Sequence, residues 1–376
     1  MATADLVRQV EPWHGDAALP AWWAPLFEAT EDAAIFLSPW WMQSWLDTYG
    51  ARFRGEWVRW EREGRVVAGV LVVRGTLRKA LLPLRCLFLN ATAEDGERPP
   101  LAEYNDVLAL PDHRAAVAAD FRALLGARAW EALALCGYAE GSVIDAATAA
   151  MPVAFARREA RPAPYLDLTR LGDAPYDRAL GPNTGSQVRR SIKLYEQRSG
   201  PLALHRADSA SEALAFLRAM TPLHNRRWEA KGIEGSFAHP LRAEFHERMV
   251  PRLAEAGVLD FLRVTAGDDV VGYLYNFVHR GKAYSFQSGF AGEEDARFKP
   301  GLVCHRMAVE AYRARALREY DFLAGDARYK RSLANAGRRL SWCMLYRDRA
   351  WLRALAWAWQ ARGRIAAAHR ASGSAA

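Results

Sequence analysis

The chain has 376 residues, of which 51% are hydrophobic, 11% aromatic and 25% charged. This length suits one large domain or two of about 100–200 residues, and the composition excludes a disordered chain and a disulfide-stapled peptide. The net charge of +8 arises largely between residues 347 and 370, which carry six Arg and one Asp. Because the excess is confined to this tail, it does not indicate nucleic-acid binding, and we expect no DNA partner.

Four cysteines, Cys86, Cys136, Cys304 and Cys343, lie far apart without a CxxC pair. This spacing argues against a zinc site and a redox dithiol, so we expect no metal and a reducing, cytoplasmic location. The first residues lack the apolar core of a secretory signal, and no window approaches the about 18 apolar residues of a membrane span.

The first half predicts a mixed α/β unit over residues 1–150. Ser38-Pro39 can open a helix in which Trp40, Trp41 and Trp45 are expected to pack in the core. Strand-like and helical segments follow, with a turn at Gly64 joining the first two strands. The predicted strands cover 56–63, 65–73, 80–89, 104–110 and 130–136, and the predicted helix covers 111–126.

The second half, residues 160–346, repeats this theme at greater length. Its clearest signal is a three-stranded meander over 258–290. The predicted helices cover 176–198 (interrupted by a loop), 211–231, 239–256 and 301–316, with a helical turn at 327–333; the other strands cover 164–168, 202–208, 318–326 and 338–347. The element order favours a duplicated α/β unit with mixed, largely antiparallel sheets. An amphipathic Trp/Arg helix is predicted within the tail, residues 347–376, where it is expected to pack on the protein or contact a membrane surface.

The segment EYDFLAGDARYK, residues 319–330, concentrates polar side chains in an apolar setting. Acyl transfer to an amine needs a proton acceptor and a donor to the developing oxyanion. Asp326 or Asp321 could be the base, Tyr329 the acid and Lys330 the oxyanion partner. The chain has 45 Arg and only 6 Lys, so a lysine here is notable. The alternative is a structural Asp326–Lys330 salt bridge.

A second candidate site is the start of the helix at Gly301, directly after the meander. Its free N–H groups and the helix dipole favour an anion, with Lys299 beside them. The alternative is that Pro300-Gly301 simply opens a helix. His224, His305 and Cys304 lie in predicted helices and are expected to be packed. No HExxH, GxSxG, Walker or GxGxxG motif in its required context occurs, so those enzyme classes have no support.

Five stretches of the second half together resemble the cellulose-biosynthesis (CelD-like) acetyltransferases, a branch of the GNAT superfamily related to the Fem peptidyltransferases. They are VRRSIKLYEQRSG (188–200), RRWEAKG (226–232), DDVVGYLYNFVHRGKAYSFQSGF (268–290), KPGLVCHRMAVEAY (299–312) and EYDFLAGDARYKRS (319–332). FLSPWWMQSW and EREGRVVAGVLVV of the first half are also similar to the family. The resemblance implies two acetyltransferase-like subdomains and an acyl-CoA co-substrate, usually acetyl-CoA, whose pantetheine bonds to a splayed strand.

The resemblance also implies a set of binding residues. The expected donor-binding residues are Tyr275, Phe277, Gln287, Lys299, Gly301 and Leu302, and the expected acceptor-binding residues are Arg189, Arg227, Trp228 and Tyr284. The chain departs from the superfamily at its phosphate loop, which is reduced to ARFKPG (296–301) with one glycine.

Three functions are therefore expected in order. The first is N-acyl transfer from coenzyme A to an amine of a small molecule, sugar or peptide-like acceptor. The second is a Fem-like transferase that uses aminoacyl-tRNA, and the third is a non-catalytic GNAT-like protein of polysaccharide or envelope assembly. A homodimer is compatible with each of them.

Overall fold

A computed structural model describes residues 6–15, 18–79, 82–93, 100, 102–355 and 357. Its strands are β1 (Val7–Trp13), β2 (Arg54–Arg62), β3 (Arg65–Lys79), β4 (Leu82–Leu89), β5 (Leu108–Ala109), β6 (Ala132–Ala139), β7 (Val153–Asp167), β8 (Leu202–Arg206), β9 (Leu259–Ala266), β10 (Asp269–His279), β11 (Lys282–Phe290), β12 (Glu319–Asp321) and β13 (Ala336–Arg347). Its helices are α1 (Trp23–Ala29), α2 (Pro39–Tyr49), α3 (Arg114–Ala127), α4 (Val143–Thr148), α5 (Tyr176–Ala179), α6 (Pro182–Ser199), α7 (Ala210–Glu229), α8 (Pro240–Glu255), α9 (Pro300–Ala314) and α10 (Arg328–Leu333).

The strands form one continuous, mostly antiparallel sheet. Their order is β1-β2-β3-β4-β6-β13-β7-β12-β11-β10-β9-β8, with β5 paired to β3 off this path. Two strand pairs are parallel, β4 with β6 and β11 with β12. The α/β fold with a mixed, largely antiparallel sheet, predicted from the element order, is confirmed.

The order shows the same unit twice. Each half has four antiparallel strands, a helix, a strand parallel to the fourth, a short helix and a long last strand. The last strands are exchanged, because β13 lies between β6 and β7 while β7 lies between β13 and β12. The halves are thus joined through the middle of the sheet, and a division near residue 150 stays a prediction about folding units.

The tryptophan-rich helix α2 begins as its sequence predicts and ties the halves together. The Ser38 hydroxyl accepts from the Trp41 N–H at the helix start, a standard N-cap. Trp41 and Trp45 are fully buried, and the Trp41 ring packs edge-on against Phe245 of α8 in the second half. The prediction that these tryptophans are core residues is confirmed for both.

Three local expectations differ from the structure. The strand predicted at 164–168 is the end of the 15-residue β7, and the strand predicted at 104–110 is reduced to β5. Strand β1 was not predicted. In the tail, residues 350–355 and 357 are helical and Leu352 is buried; the rest of the predicted helix lies outside the described residues.

Candidate active site

The site forms where two parallel strands separate. β12 pairs with β11 over only three positions, the last being Tyr284 opposite Asp321. Beyond them, residues 285–290 of β11 keep β10 as a partner on one side, and no described strand pairs with their other edge. Two cavities lie along this opened edge, and Arg227 and Tyr329 line both of them.

The first cavity, about 550 Å³, lies at the amino end of α9, and we call it the helix-end cavity. It is lined by Leu223, Arg226, Arg227, Phe290, Ala291, Gly292, Phe298, Lys299, Pro300, Gly301, Leu302, His305 and Tyr329. Pro300 has no N–H and the Lys299 N–H donates to the Ser191 hydroxyl at 2.8 Å. The N–H groups of Gly301 and Leu302 meet no acceptor among the described residues. Because the helix dipole adds to these two donors, this end of α9 suits an anion.

His305 forms the inner wall of the helix-end cavity. Its ring stacks on Tyr329, with centroids 5.5 Å apart, and its Nδ1 lies 2.9 Å from the Tyr320 hydroxyl. Its Nε2 is buried without a partner in the described chain. Burial lowers the pKa of His305 to about 3, so the ring is neutral. Sequence analysis expected a packed histidine and gave no sign of the unpaired nitrogen.

The second cavity, about 760 Å³, is the main cavity. Its lining residues are Glu103, His224, Arg227, Trp228, Lys231, Ile233, Glu234, Ser236, Arg242, residues 285–288 and residues 323–330. Strand β11 forms one wall and the segment leading into α10 the other. Both halves of the chain contribute, because Glu103 comes from the first half.

Lys330 is held by the turn that follows β12. Its Nζ donates to the carbonyl oxygens of Ala324 at 2.7 Å and Leu323 at 3.2 Å, which leaves a third proton for a ligand in the cavity. Burial lowers the pKa of the ammonium, opposed by the charges of Glu103 and Asp321. The alternative of an Asp326–Lys330 salt bridge is wrong, since Asp326 pairs with Arg331.

Glu103 is the acid nearest in character to a catalytic base. Its Oε2 accepts from the Ala324 N–H at 2.7 Å, and its side chain is buried in the wall of the main cavity. Burial raises the pKa of Glu103 to about 7. A carboxylate with this pKa accepts protons efficiently near neutral pH. Sequence analysis missed Glu103, because its loop has no periodic pattern that places it beside residue 324.

Asp321 lies behind the cavity wall. It is fully buried and accepts from the Tyr104 hydroxyl and from the Leu323 N–H; Arg338 Nη1 stands 3.9 Å away. Burial raises the pKa of Asp321 to about 6, opposed by the charge of Arg338. Its carboxylate lines neither of the two cavities, so its contacts position the turn at residues 323–325.

His224 bridges α7 and β11 in the main cavity. Its Nδ1 donates to the Ser288 carbonyl oxygen at 2.8 Å, and its Nε2 accepts from the Ser236 N–H at 3.2 Å. Burial lowers the pKa of His224 to about 4. With both nitrogens bonded and the ring neutral, His224 has a packing role, as sequence analysis expected.

The structure brings together eight of the residues that sequence analysis singled out. Those lining the two cavities are Arg227, Trp228, Gln287, Lys299, Gly301, Leu302, Tyr329 and Lys330. Asp326 also reaches the main cavity, but its side chain is 69% exposed. Cys304 is buried, which raises the pKa of its thiol, so it is packed as expected.

Four predicted binding residues lie elsewhere. Tyr275 and Phe277 are buried in the core on β10, whose two edges pair with β9 and β11; their backbone is therefore not free, and β11 offers the open edge instead. Arg189 pairs with Asp177 and lines neither cavity. Tyr284 is buried and faces a separate, smaller cleft lined by Tyr104, Lys282 and Arg338.

Comparison with known proteins agrees with this geometry. Residues 183–331 match the family model described as "Acetyltransferase (GNAT) domain", which includes α9, Lys330 and most of both cavity linings. No curated protein matches the chain in sequence. The match establishes a GNAT acetyltransferase domain in the second half.

Solved structures extend the likeness to both halves. FemX is 9% identical with a TM-score of 0.56, covering 85% of this chain and 94% of its own. L-PGS from Bacillus licheniformis is 10% identical with a TM-score of 0.49, covering 83% and 93%. A tandem GNAT protein from the clavulanic acid biosynthesis pathway is 12% identical with a TM-score of 0.43, covering 90% and 98%. At such identity the FemX likeness is one of fold.

Neither a membrane span nor a metal centre is found in the part of the chain that the structure describes. No described helix is long and apolar enough to cross a bilayer. No three His, Cys, Asp or Glu side chains among the described residues are grouped to hold a metal ion.

Proposed function

We propose that this protein is an N-acyltransferase that moves an acyl group from coenzyme A to an amine. The observation that carries the proposal is the placement of Glu103 and Lys330 in one cavity, which adjoins the free amides of α9 at Arg227 and Tyr329. The helix-end cavity would hold the anionic part of the donor, and the main cavity would hold the amine. An acetyl group is the acyl group we expect first.

The donor fits the helix-end cavity by charge and by hydrogen bonding. The Gly301 and Leu302 N–H groups, with Lys299 and Arg226 in the lining, match the pyrophosphate of coenzyme A. The open edge of β11 can pair with an extended chain of amides such as pantetheine. The unpaired Nε2 of His305 is a further polar contact for the donor.

The chemistry follows from the groups in the main cavity. The neutral amine attacks the thioester carbonyl, a C–N bond forms and the C–S bond breaks, so the amine must lose a proton and the thiolate must gain one. Glu103 would take the proton from the amine. Lys330 would stabilise the oxyanion. Burial raises the pKa of Tyr329, which keeps its hydroxyl protonated and available to the thiolate.

Asp326 and Asp321 were expected as bases, and the geometry favours Glu103 over both. Asp326 is exposed and paired with Arg331. Asp321 is buried behind the wall, where it accepts hydrogen bonds from Tyr104 and Leu323. We therefore propose that Asp321 positions the turn that carries Lys330, and that Asp326 has no part in the reaction.

A second candidate donor is aminoacyl-tRNA. The fold likeness to FemX over both halves favours it, as does the shortened phosphate loop with its one glycine, Gly301, at residues 296–301. Such a donor offers an ester in place of a thioester, and the same base and oxyanion partner would serve it. A reducing cytoplasm suits either donor, and the four cysteines are unpaired.

The test is turnover with acetyl-CoA and a panel of small amines, followed by release of the coenzyme A thiol and by the mass of the product. The proposal predicts thiol release that depends on the amine and that Glu103→Gln strongly reduces. Binding of coenzyme A by calorimetry separates the two donors. Absence of both binding and thiol release would contradict the acyl-CoA proposal, and acylation of an amine by aminoacyl-tRNA instead would establish the second candidate.

A further inference from the structure

The charges around the main cavity are not balanced. Its lining contains five cationic side chains, Arg227, Lys231, Arg242, Arg328 and Lys330, against three acidic ones, Glu103, Glu234 and Asp326. An excess of one sign in a concave site focuses the electrostatic potential and attracts ligands of the opposite charge.

The three acids are already engaged. Glu234 lies 3.6 Å from Arg242, and Asp326 pairs with Arg331 outside the cavity lining. Glu103 and Lys330 act on each other electrostatically inside the cavity.

Three cations remain without a carboxylate. Arg227, Lys231 and Arg328 form no ion pair with any described residue. Arg227 lies over Phe290 and Lys231 over Trp228, with 5.4 and 4.7 Å to the ring centroids. The charge of Arg227 also contributes to lowering the pKa of Lys231, after desolvation. Such crowding of like charges is relieved by a bound anion.

The donor does not account for all of these cations. The helix-end cavity, where the phosphates of coenzyme A would bind, is lined by Arg226, Arg227 and Lys299. Lys231 and Arg328 line the main cavity and not the helix-end cavity. Their partner must therefore belong to the second substrate.

We infer that the acceptor is an anionic amine, whose carboxylate or phosphate binds at Lys231 and Arg328 while its amino group reaches Glu103. Carboxylate and phosphate share the charge and the acceptor oxygens that Lys and Arg recognise. Trp228 and the half-exposed Ile233 would contact the apolar part of the same molecule. This inference rests on the proposed function, and it assigns the class of acceptor.

The experiment compares matched amines with acetyl-CoA as donor. L-alanine is paired with L-alaninamide, and glucosamine 6-phosphate with glucosamine, so that each pair differs by the anionic group. We expect kcat/KM to be at least about tenfold higher for the anionic member of one pair, since one charge-assisted contact is worth about that factor. The pair that responds distinguishes carboxylate from phosphate.

Variants tie the preference to the two cations. In Lys231→Ala/Arg328→Ala the anionic member should lose its advantage through a higher KM, while the KM for acetyl-CoA is unchanged. Added salt should likewise raise the KM of the anionic member alone. The control is Arg218→Ala, an exposed arginine on the same helix as Arg227 that lines neither cavity; it should keep the preference.

Each outcome is decisive. Transfer that favours the neutral members, or treats both equally, overturns the anionic acceptor and leaves the N-acyltransferase standing. A preference that survives in the double variant overturns the assignment to Lys231 and Arg328. Binding of acetyl-CoA without transfer to any of the four amines overturns the proposed transfer to small amines, and this inference with it.

Discussion

The carboxylate of Glu103 accepts a hydrogen bond from the N–H of Ala324 at 2.7 Å, across 221 residues of the chain. The neighbouring Tyr104 donates to Asp321 across 217 residues. Through these two contacts, a loop of the first half fixes the turn of the second half that presents Lys330. The first half is therefore part of the site, and changes in this loop should affect both stability and catalysis.

Gly301→Val should weaken donor binding. A Cβ at position 301 would lie 3.1 Å from the Phe290 ring, and the valine side chain would crowd the free amide of Leu302. Calorimetry should show the affinity for coenzyme A falling by at least about tenfold, the loss of one hydrogen bond to a charged group. Gly126→Ala in α3, where a Cβ meets nothing within 4 Å, is the control and should bind normally. Equal affinity in both variants would remove the donor from this helix end.

Lys330→Arg should lower kcat by about 100- to 1000-fold while the KM for the donor stays nearly unchanged. An ammonium can approach one oxygen closely, whereas a guanidinium is a wide planar fork, and loss of one oxyanion donor has this typical cost. Lys330→Met should in addition destabilise the fold by about 1–3 kcal/mol, because the Leu323 and Ala324 carbonyls lose their donor. Steady-state kinetics and urea titration measure the two effects. Full turnover in Lys330→Arg would exclude the oxyanion role.

Tyr104→Phe should lower the free energy of unfolding by about 1–3 kcal/mol, since it leaves a buried oxygen of Asp321 without its donor. The control is Tyr165→Phe, which keeps the ring that stacks 4.0 Å from the Arg338 guanidinium and should change stability by no more than about 0.5 kcal/mol. Urea titration measures both variants. Equal stabilities would show that the Tyr104–Asp321 contact does not join the halves.

Glu103→Gln should change how stability depends on pH. The pKa of Glu103 is raised from 4.5 to about 7 in the folded protein, so burial favours its protonated form. Its favourable contribution is therefore fully present below pH 4.5 and is lost as the pH rises through about 7. The shift corresponds to about 3 kcal/mol, and Glu103→Gln should gain this much relative to the native chain between pH 4 and pH 8. Thermal or urea unfolding at both pH values would detect it; a constant difference would contradict the raised pKa.

The sequence predicted the elements that have strong local signals. The meander, the helix at Gly301 and the serine cap of α2 were all found where their patterns placed them. The length of β7 was not, because Pro162 and Pro164 argue against a strand. In the structure their carbonyls accept from Gly325 and Phe322 on the side of β12. Their missing N–H groups face that same side, so pairing with β13 is preserved.

The site was predicted only where its residues are close in sequence. Lys330 and Tyr329 were found because one short segment holds the polar groups. Glu103 was missed because its role depends on a contact with Ala324 that no local pattern encodes. Tyr275 and Phe277 were misplaced because alternation along a strand does not reveal which strand of a meander has the free edge.

The measurement that tests the central claim most directly is the pH dependence of kcat/KM for acyl transfer in the native chain and in Glu103→Gln. If Glu103 is the base, kcat/KM in the native chain falls with slope one as the pH drops below about 7, where the carboxylate gains a proton. The variant, which keeps an oxygen for the Ala324 N–H, should be slower by about 100- to 10,000-fold at pH 8 and should lose that limb of the profile. Any limb due to the amine substrate is common to both proteins. A variant that retains both the limb and the native rate would contradict the account.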